Sequence, residues 1–325
     1  MKGALRQFLS HRLGSIDSIA VLPGGIWNDS YLVEACGKRY VAKLYLPRIP
    51  AAFYGNSGWV EWRTLGFLEP LGIAPKPVLF SAALGRHLLV YEFVEGKTGR
   101  LRGRFLRLAA RLLGRLHAIK PSESTRFVAR RNDSIQALRA QIRARINRLD
   151  KKMPEHGDLL RFKHLLQCLP QTSSPPYSPS LLHTDPVPSN FIQGKKLILI
   201  DWQSPRFGDA AFDVWAFCSD AFQLWDLRRG MSRAEKRAFL RTYLSHHHDG
   251  TLPARLQAKA PLFALNLGLY YLERFTDFVE GRLAEEMTRG KEKLFGRYER
   301  VKDACLRELE NYLTAPRDES AWMRA

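Results

Sequence analysis

After an opening helix, period-two and β-rich segments dominate as far as about residue 94, and from Gly99 onward the apolar spacing turns helical. In Ser30-Tyr31-Leu32-Val33-Glu34-Ala35 the residues Tyr31, Val33 and Ala35 share one face, as in a half-buried strand. Cys36-Gly37-Lys38 reads as a turn and Arg39 to Leu46 as a second strand, which makes a hairpin. A helical stretch near Val60 to Leu68 follows, and Pro75 and Pro77 stop it. Val78-Leu79-Phe80 and His87 to Val94 predict another hairpin across Ala83-Leu84-Gly85. From Arg100 to Ile119, Leu101, Phe105, Leu108, Leu112 and Leu116 form an amphipathic stripe. Ser173 to Pro179 is a loop. Beyond residue 211 the pattern is helical again and ends in an amphipathic helix from about Lys291 to Leu313. The pattern predicts an α+β chain, a small β-rich portion followed by a larger helical one.

Composition narrows the class. The chain has 325 residues, 45% of them hydrophobic, enough for two ordinary cores or one large bilobal enzyme. No apolar run approaches the roughly 18 residues of a membrane span. The N-terminal stretch is basic, with Lys2, Arg6 and Arg12 before the first acid at Asp17, and reads as a plain helix, with a transit peptide as the alternative. Cys36, Cys168, Cys218 and Cys305 form no CxxC pair and no metal-type spacing, as expected of reduced thiols in a cytoplasmic protein. The formal net charge of +19 would draw anions: nucleotide phosphates, nucleic acid, an acidic surface or an acidic substrate.

The segment from Leu181 to Asp201 carries the chemistry. Phe191-Ile192 and Leu197 to Ile200 are short apolar strands joined through Gly194-Lys195-Lys196. Folding that hairpin sets Asn190 opposite Asp201 to within a residue or two, an amide and a carboxylate suited to magnesium, which takes hard oxygen ligands. Asp185 lies five residues before Asn190, in a loop stiffened by Pro186 and Pro188, where a carboxylate can accept a hydroxyl proton. The order His183-x-Asp185-x4-Asn190, followed by a strand-end Asp, is a kinase catalytic-loop arrangement. Upstream, Tyr40-Val41-Ala42-Lys43 ends a hydrophobic strand in a lysine, as phosphate-holding strands do, and Glu61 on the next helix is its natural partner. In Pro23-Gly24-Gly25-Ile26-Trp27-Asn28-Asp29-Ser30, between two strands, backbone amides and a serine can approach phosphates.

These motifs resemble those of the aminoglycoside phosphotransferase and choline kinase-like family, small-molecule relatives of protein kinases. The match runs from the Gly24-Gly25 loop to about Trp215. It includes the hinge-like Val90 to Gly96, Leu113-Gly114-Arg115-Leu116-His117, Ile200-Asp201-Trp202-Gln203 and Gly208 to Val214. The resemblance implies a bilobal protein kinase-like fold. Residues 1–94 would form a nucleotide-binding lobe with a small antiparallel β-sheet and one helix. Residues 95–325 would form the larger, mainly helical catalytic and substrate-binding lobe. It implies transfer of the γ-phosphate of ATP, with Mg2+, to a hydroxyl of an aminoglycoside, choline, a sugar or a similar metabolite. By the same resemblance Asp185 is the catalytic base, Asn190 and Asp201 hold magnesium, and Lys43, paired with Glu61, contacts phosphates. Gly24, Gly25, Asn28 and Ser30 line the phosphates, and Tyr91, Glu92 and Phe93 receive the adenine. Asp209 and Asp213 are structural. Two features depart from the family: Thr184 follows the loop histidine where Gly is common, and Trp202-Gln203 follows Asp201.

Other signals have plainer readings. Arg100, Arg104, Arg107, Arg111 and Arg115 make a basic stripe, a solvated face or a docking surface for a polyanion. His246-His247-His248-Asp249 reads as a polar loop before it reads as a metal site. Trp215, Phe217, Phe222 and Trp225 read as core. Glu273, Asp277 and Glu280 are candidates for an acidic pocket that would admit a cationic acceptor. The competing function is a catalytically weak kinase-fold protein that binds nucleotide, or a polyanion through its basic surface.

Overall fold

In the computed structural model, which describes residues 2–23, 28–46, 55–82, 85–225, 229–282 and 292–314, the alternating segments form a five-stranded antiparallel sheet. Its order is β1 (Ile16–Leu22), β2 (Asn28–Ala35), β3 (Lys38–Tyr45), β5 (Leu88–Glu92) and β4 (Pro77–Ser81). Tyr31, Val33 and Ala35 are buried on one face of β2. Helix α1 (Lys2–Leu13) lays Leu5 and Leu9 on that cluster. Strand β3 is central, and its register sets Lys43 opposite Ser30 on one side and Leu89 on the other.

Helix α2 (Gly58–Leu68) is N-capped by Ser57, whose Oγ accepts the Val60 amide at 3.3 Å. Its first residue must be small: a Cβ on Gly58 would stand 2.9 Å from the Tyr45 ring. That close approach brings Glu61, one turn on, down to β3.

The chain divides into two compact units, Met1–Thr98 with Asn190–Pro205, and Gly99–Ser189 with Arg206–Ala325. The sequence pattern suggests one division near residue 94. The segment 190–205 packs with the first unit because its hydrogen bonds lie there. Strand β9 (Phe191–Gln193) pairs with β6 (Lys97–Thr98) and with β10 (Leu197–Leu199). The Leu199 amide donates to the Ile73 carbonyl at 2.8 Å, and the Ser57 amide to the Gln203 carbonyl at 3.4 Å.

The second unit is built on helices. The leucine stripe becomes α3 (Gly103–His117), with Phe105, Leu112 and Leu116 buried. A three-stranded sheet sets β11 (Arg206–Gly208) between β7 (Ala129–Arg130) and β8 (Ser180–Leu182). Helices α4 (Ile135–Lys152), α5 (Gly157–Cys168) and α6 (Ala211–Cys218) pack on the long α9 (Leu252–Val279), α7 (Asp220–Gln223) packs on the final α10 (Glu292–Thr314), which also lies along α9, and α8 (Arg233–Leu244) packs on α3. Trp215, Phe217 and Phe222 are buried core, as their spacing suggests, and Trp225 stacks on Tyr298 at 5.4 Å. Among the described residues no helix is long and apolar enough to cross a membrane. The four cysteines are free thiols.

Gly268, halfway along α9, permits a close approach of Phe162 and of the final helix at Cys305. An added Cβ would lie 2.5 Å from Phe162 Cζ and 2.9 Å from Cys305 Cβ. Gly268→Ala is therefore expected to destabilise the chain by about 1–3 kcal/mol through overpacking, despite the better helix propensity of alanine. The shift in the urea midpoint measures this, and an unchanged midpoint would refute the contact.

Candidate active site

In the first unit the geometry centres on Lys43. Its side chain is almost wholly buried, and Nζ donates to Glu61 Oε2 at 2.9 Å and to Asp201 Oδ1. Burial works against the ammonium, but the charges of Asp201 and Glu61 outweigh it, and its pKa is raised. Glu61 is fully buried and receives three donors: Lys43, the Tyr45 hydroxyl on the same Oε2, and the Trp202 amide on Oε1 at 3.2 Å. Burial, against the pull of Lys43, raises the Glu61 carboxyl above its ordinary range. Burial and the neighbouring Glu61 charge together push the Tyr45 phenol well up, so it stays protonated as a donor. Glu69, on the same helical segment, sits at the C-cap of α2. The pair is Lys43–Glu61.

The hairpin β9–β10 forms as the sequence indicates. Leu199 faces Phe191, and the Ile200 amide donates to the Asn190 carbonyl at 2.8 Å, which leaves Asp201 one residue beyond Asn190's partner. Asp201 turns with φ +67°, a left-handed conformation unusual for a residue other than glycine. Its side chain is about a third exposed (33%). Only Oδ1 meets Lys43, so Oδ2 keeps acceptor capacity toward solvent among the described residues. Trp202, next in sequence, is fully buried and donates Nε1–H to the Leu199 carbonyl at 2.8 Å. Sequence reasoning passed over Tyr45 and the Trp202 amide. Tyr45 carried a signal, since it stands two residues after Lys43 and so on the same face of β3.

In the second unit, Asp213 on α6 organises the loop that carries Asp185. Its buried carboxylate accepts the His183 amide at 2.7 Å, the Thr184 amide at 2.9 Å and His117 Nε2 at 3.2 Å. Burial alone would raise its pKa, but the His117 and His183 contacts prevail and hold it below the usual carboxylate range. The Asp185 amide donates to His183 Nδ1 at 3.3 Å, so that histidine braces the loop. Thr184 has φ +74°, which explains why glycine is the usual residue there. Asp209 is likewise buried, clamped by Arg255 Nε at 3.0 Å and Lys259 Nζ at 2.6 Å.

The other candidates differ in kind. The Asn28 amide is consumed within the fold, donating to Asn56 Oδ1 at 2.8 Å and Gln203 Oε1 at 2.9 Å while accepting from the Leu46 amide at 3.3 Å. Ser30 faces Lys43 across β2 and β3 and is half-buried. Tyr91 is buried, and the amides of Glu92 and Phe93 donate to the Lys76 and Arg39 carbonyls. Gly24 and Gly25 lie outside the described residues, as do Ala83 and Leu84 of the second turn.

The acidic pocket suggested by Glu273, Asp277 and Glu280 does not form, because the chain's own cations occupy those carboxylates. Arg145 Nη1 lies 3.0 Å from Glu273, Arg274 Nη2 2.9 Å and Arg282 Nε 3.0 Å from Asp277, and Arg282 also pairs with Glu280. Among the described residues no cluster of three or more His, Cys, Asp or Glu side chains could hold a metal. In the His246–Asp249 tract, Asp249 instead pairs with Arg255 at 2.6 Å. The five arginines of the basic stripe are exposed, a solvated face.

The sequence model of the phosphotransferase enzyme family matches residues 18–258. No curated protein matches the sequence. Among solved structures, the chain is similar to a spectinomycin phosphotransferase in complex with ADP and spectinomycin, at TM-score 0.66 and 15% identity over 93% of this chain and 97% of that one. It is similar to a choline kinase of Streptococcus pneumoniae at TM-score 0.64 and 20% identity over 94% and 98%. A macrolide 2′-phosphotransferase of Brachybacterium faecium matches at TM-score 0.61 and 18% identity over 89% and 99%. At these identities the likeness carries the fold, which is the α+β protein kinase-like architecture.

The depressed Asp213 carboxyl makes stability depend on pH in one direction. Its folded pKa lies below its unfolded value, so the contribution is complete above about pH 4 and fades as pH falls through the folded value. Asp213→Asn is expected to destabilise by about 2–4 kcal/mol at pH 7, since it sets an amide donor against backbone donors. The gap to the parent should narrow in urea denaturation repeated near pH 3, and a gap that stays constant would contradict the assignment.

Proposed function

The chain belongs to the phosphotransferase enzyme family, and from that premise we propose that it transfers the γ-phosphate of ATP to a hydroxyl of a small molecule. The observation that carries this reading is the buried Lys43 ammonium, held between Glu61 and Asp201. A charge is expensive to bury, and one fixed by two carboxylates is a preorganised partner for a polyphosphate. That arrangement also weighs against a fold that has abandoned catalysis.

In the proposed reaction the acceptor oxygen bonds to the γ-phosphorus as the bond to the β–γ bridging oxygen breaks. The hydroxyl proton passes to the Asp185 carboxylate, and a phosphate ester and ADP leave. Asp185 suits that role because its backbone is held by His183 and, through the two preceding amides, by Asp213. Lys43 would hold phosphate oxygens, with Glu61 and Tyr45 fixing its direction. Ser30, Gly24 and Gly25 are proposed beside the phosphates, whereas Asn28 acts by tying β2 to Asn56 and Gln203. For adenine, the stretch Tyr91, Glu92 and Phe93 has its carbonyls and side chains to offer, because the Glu92 and Phe93 amides are spent on Lys76 and Arg39.

Asn190 and Asp201 fit magnesium by donor chemistry. Both supply hard oxygens, their backbones are one residue out of register across one hairpin, and Asp201 Oδ2 keeps acceptor capacity. Mg2+ takes only one or two protein carboxylates beside phosphate and water, so a site with a single carboxylate is adequate. Bound there, the ion would offset charge on the phosphate oxygens.

Full-length protein with Mg2+ and ATP should release ADP in the presence of an acceptor drawn from a panel of hydroxylated metabolites and antibiotics. Asp185→Asn should lower that rate by about 10²- to 10⁴-fold while a nucleotide titration shows ATP still bound. Undiminished turnover in that variant would reject the base. Glu61→Gln, which leaves Lys43 without its orienting charge, should reduce kcat on the order of 10²-fold through misplacement of the ammonium. A rate equal to the parent's would show that Glu61 does not position it.

A further inference from the structure

We infer that the acceptor carries an anionic group, a carboxylate or a phosphate ester, and that a guanidinium cluster where α4 packs on α9 recognises it. The inference rests on the phosphotransferase reading and narrows its substrate class.

On α9, Asn266, Tyr270 and Arg274 recur every fourth residue and so share one face. Helix α4 supplies Arg145, Arg148 and Lys152 at spacings of three and four. The Arg145 guanidinium lies 5.6 Å from the centre of the Tyr270 ring and pairs with Glu273 at 3.0 Å. Lys152 and Arg148 approach the other Glu273 oxygen at 3.7 and 4.0 Å, and Arg274 lies 3.6 Å from it. Arg274 and Lys152 also reach Asp277, at 2.9 and 3.4 Å. Four cations thus converge on two carboxylates, and Asp277 is shared further with Arg282.

Arg274 is left with unmet donors. It is 2% exposed, its Nη2 alone meets the carboxylates, and among the described residues Nε and Nη1 have no hydrogen-bond partner. A buried donor left unmet costs about 1–3 kcal/mol, more when it is charged. The buried Arg145 and Arg274 balance the buried Glu273 and Asp277, so the excess positive charge sits on the half-exposed Arg148 and Lys152 at the rim; such an excess attracts an anion, and a guanidinium binds carboxylate or phosphate through paired N–H bonds. Arg148 and Lys152 are half-exposed, so the cluster opens to solvent on the α4 side.

The cluster also lies within electrostatic reach of the proposed base. Burial is the main cause that raises the Tyr270 phenol; Arg274 and Arg145 pull it down, and the Asp185 charge pushes it up. Tyr270, with the Arg145 guanidinium 5.6 Å from its ring centre and Arg274 one turn further along α9, feels the charges of both arginines and of Asp185. An acceptor extending across Tyr270 would offer its own hydroxyl to Asp185 and its anionic end to the arginines. A polycationic acceptor would meet like charge there, with Glu273 and Asp277 already engaged.

The test uses inorganic phosphate as probe, titrated by calorimetry into full-length protein saturated with ADP so that the nucleotide site is filled. Phosphate should bind, and Arg148→Gln should weaken it by about fivefold or more. Arg274→Gln should weaken it further, while Arg111→Gln on α3, a control for general charge, leaves it unchanged. Should Arg274→Gln fail to fold, the half-exposed Arg148 still decides. Absence of phosphate binding, or equal binding in Arg148→Gln and the parent, overturns the proposal. In a second arm, ADP release is compared for glycerol 3-phosphate against glycerol and for glycerate against its amide. The anionic member of each pair should be favoured, and equal turnover of the neutral member would sink the acceptor assignment. Phosphate binding that is lost in Arg148→Gln, with no ADP release from any acceptor, would leave the anion site standing and remove the kinase reading.

Discussion

An ammonium is kept buried at Lys43, and the arrangement of the first unit follows from what that requires. Burial of a lone lysine would drive it to neutrality, so carboxylates must arrive from elsewhere in the fold. Glu61 comes from α2, which can approach β3 because Gly58 has no side chain to strike Tyr45. Asp201 comes from the end of β10, whose hairpin docks onto the same unit through β6. Tyr45 and the Trp202 amide then add two further donors to Glu61, one on each oxygen. Helix, central strand and hairpin are thereby tied at one point, so that a shift in any of them would leave a charge unmatched.

The second unit solves a different problem with the same device. A loop carrying a reactive carboxylate must be held without secondary structure of its own, and its amides need acceptors. Asp213 supplies them by accepting two consecutive backbone N–H groups and a histidine, while Asp209 is pinned by Arg255 and Lys259. The left-handed turn at Thr184 is the strained element this support allows, at an expense of about 1–3 kcal/mol typical of such positions.

The net charge of +19 divides into two populations. The arginines of α3 are exposed and face solvent. Arg145 of α4 and Arg274 of α9 are drawn inside, where they neutralise Glu273 and Asp277, while Arg148 and Lys152 add positive charge at the rim. Composition cannot separate these, because an arginine on a helix reads the same whether its neighbour is water or a carboxylate 128 residues away.

What the sequence determined by itself was local in origin. Period-two alternation placed β2 and β3, helical spacing placed α3, and the polar turn Gly194-Lys195-Lys196 set the β9–β10 register that puts Asn190 near Asp201 along the hairpin. The Lys43–Glu61 pair was also legible, because a lysine closing a hydrophobic strand needs a counter-charge and the following helix offered one. Tertiary structure decided the rest. It spent the Asn28 amide on Asn56 and Gln203, added Tyr45 and Trp202 to the Glu61 network, and neutralised the carboxylates of an apparent acidic pocket with the chain's own arginines. Each of these depends on which polar groups burial forces together across long separations. A side chain's own sequence neighbourhood gives its chemistry, but only packing gives it partners.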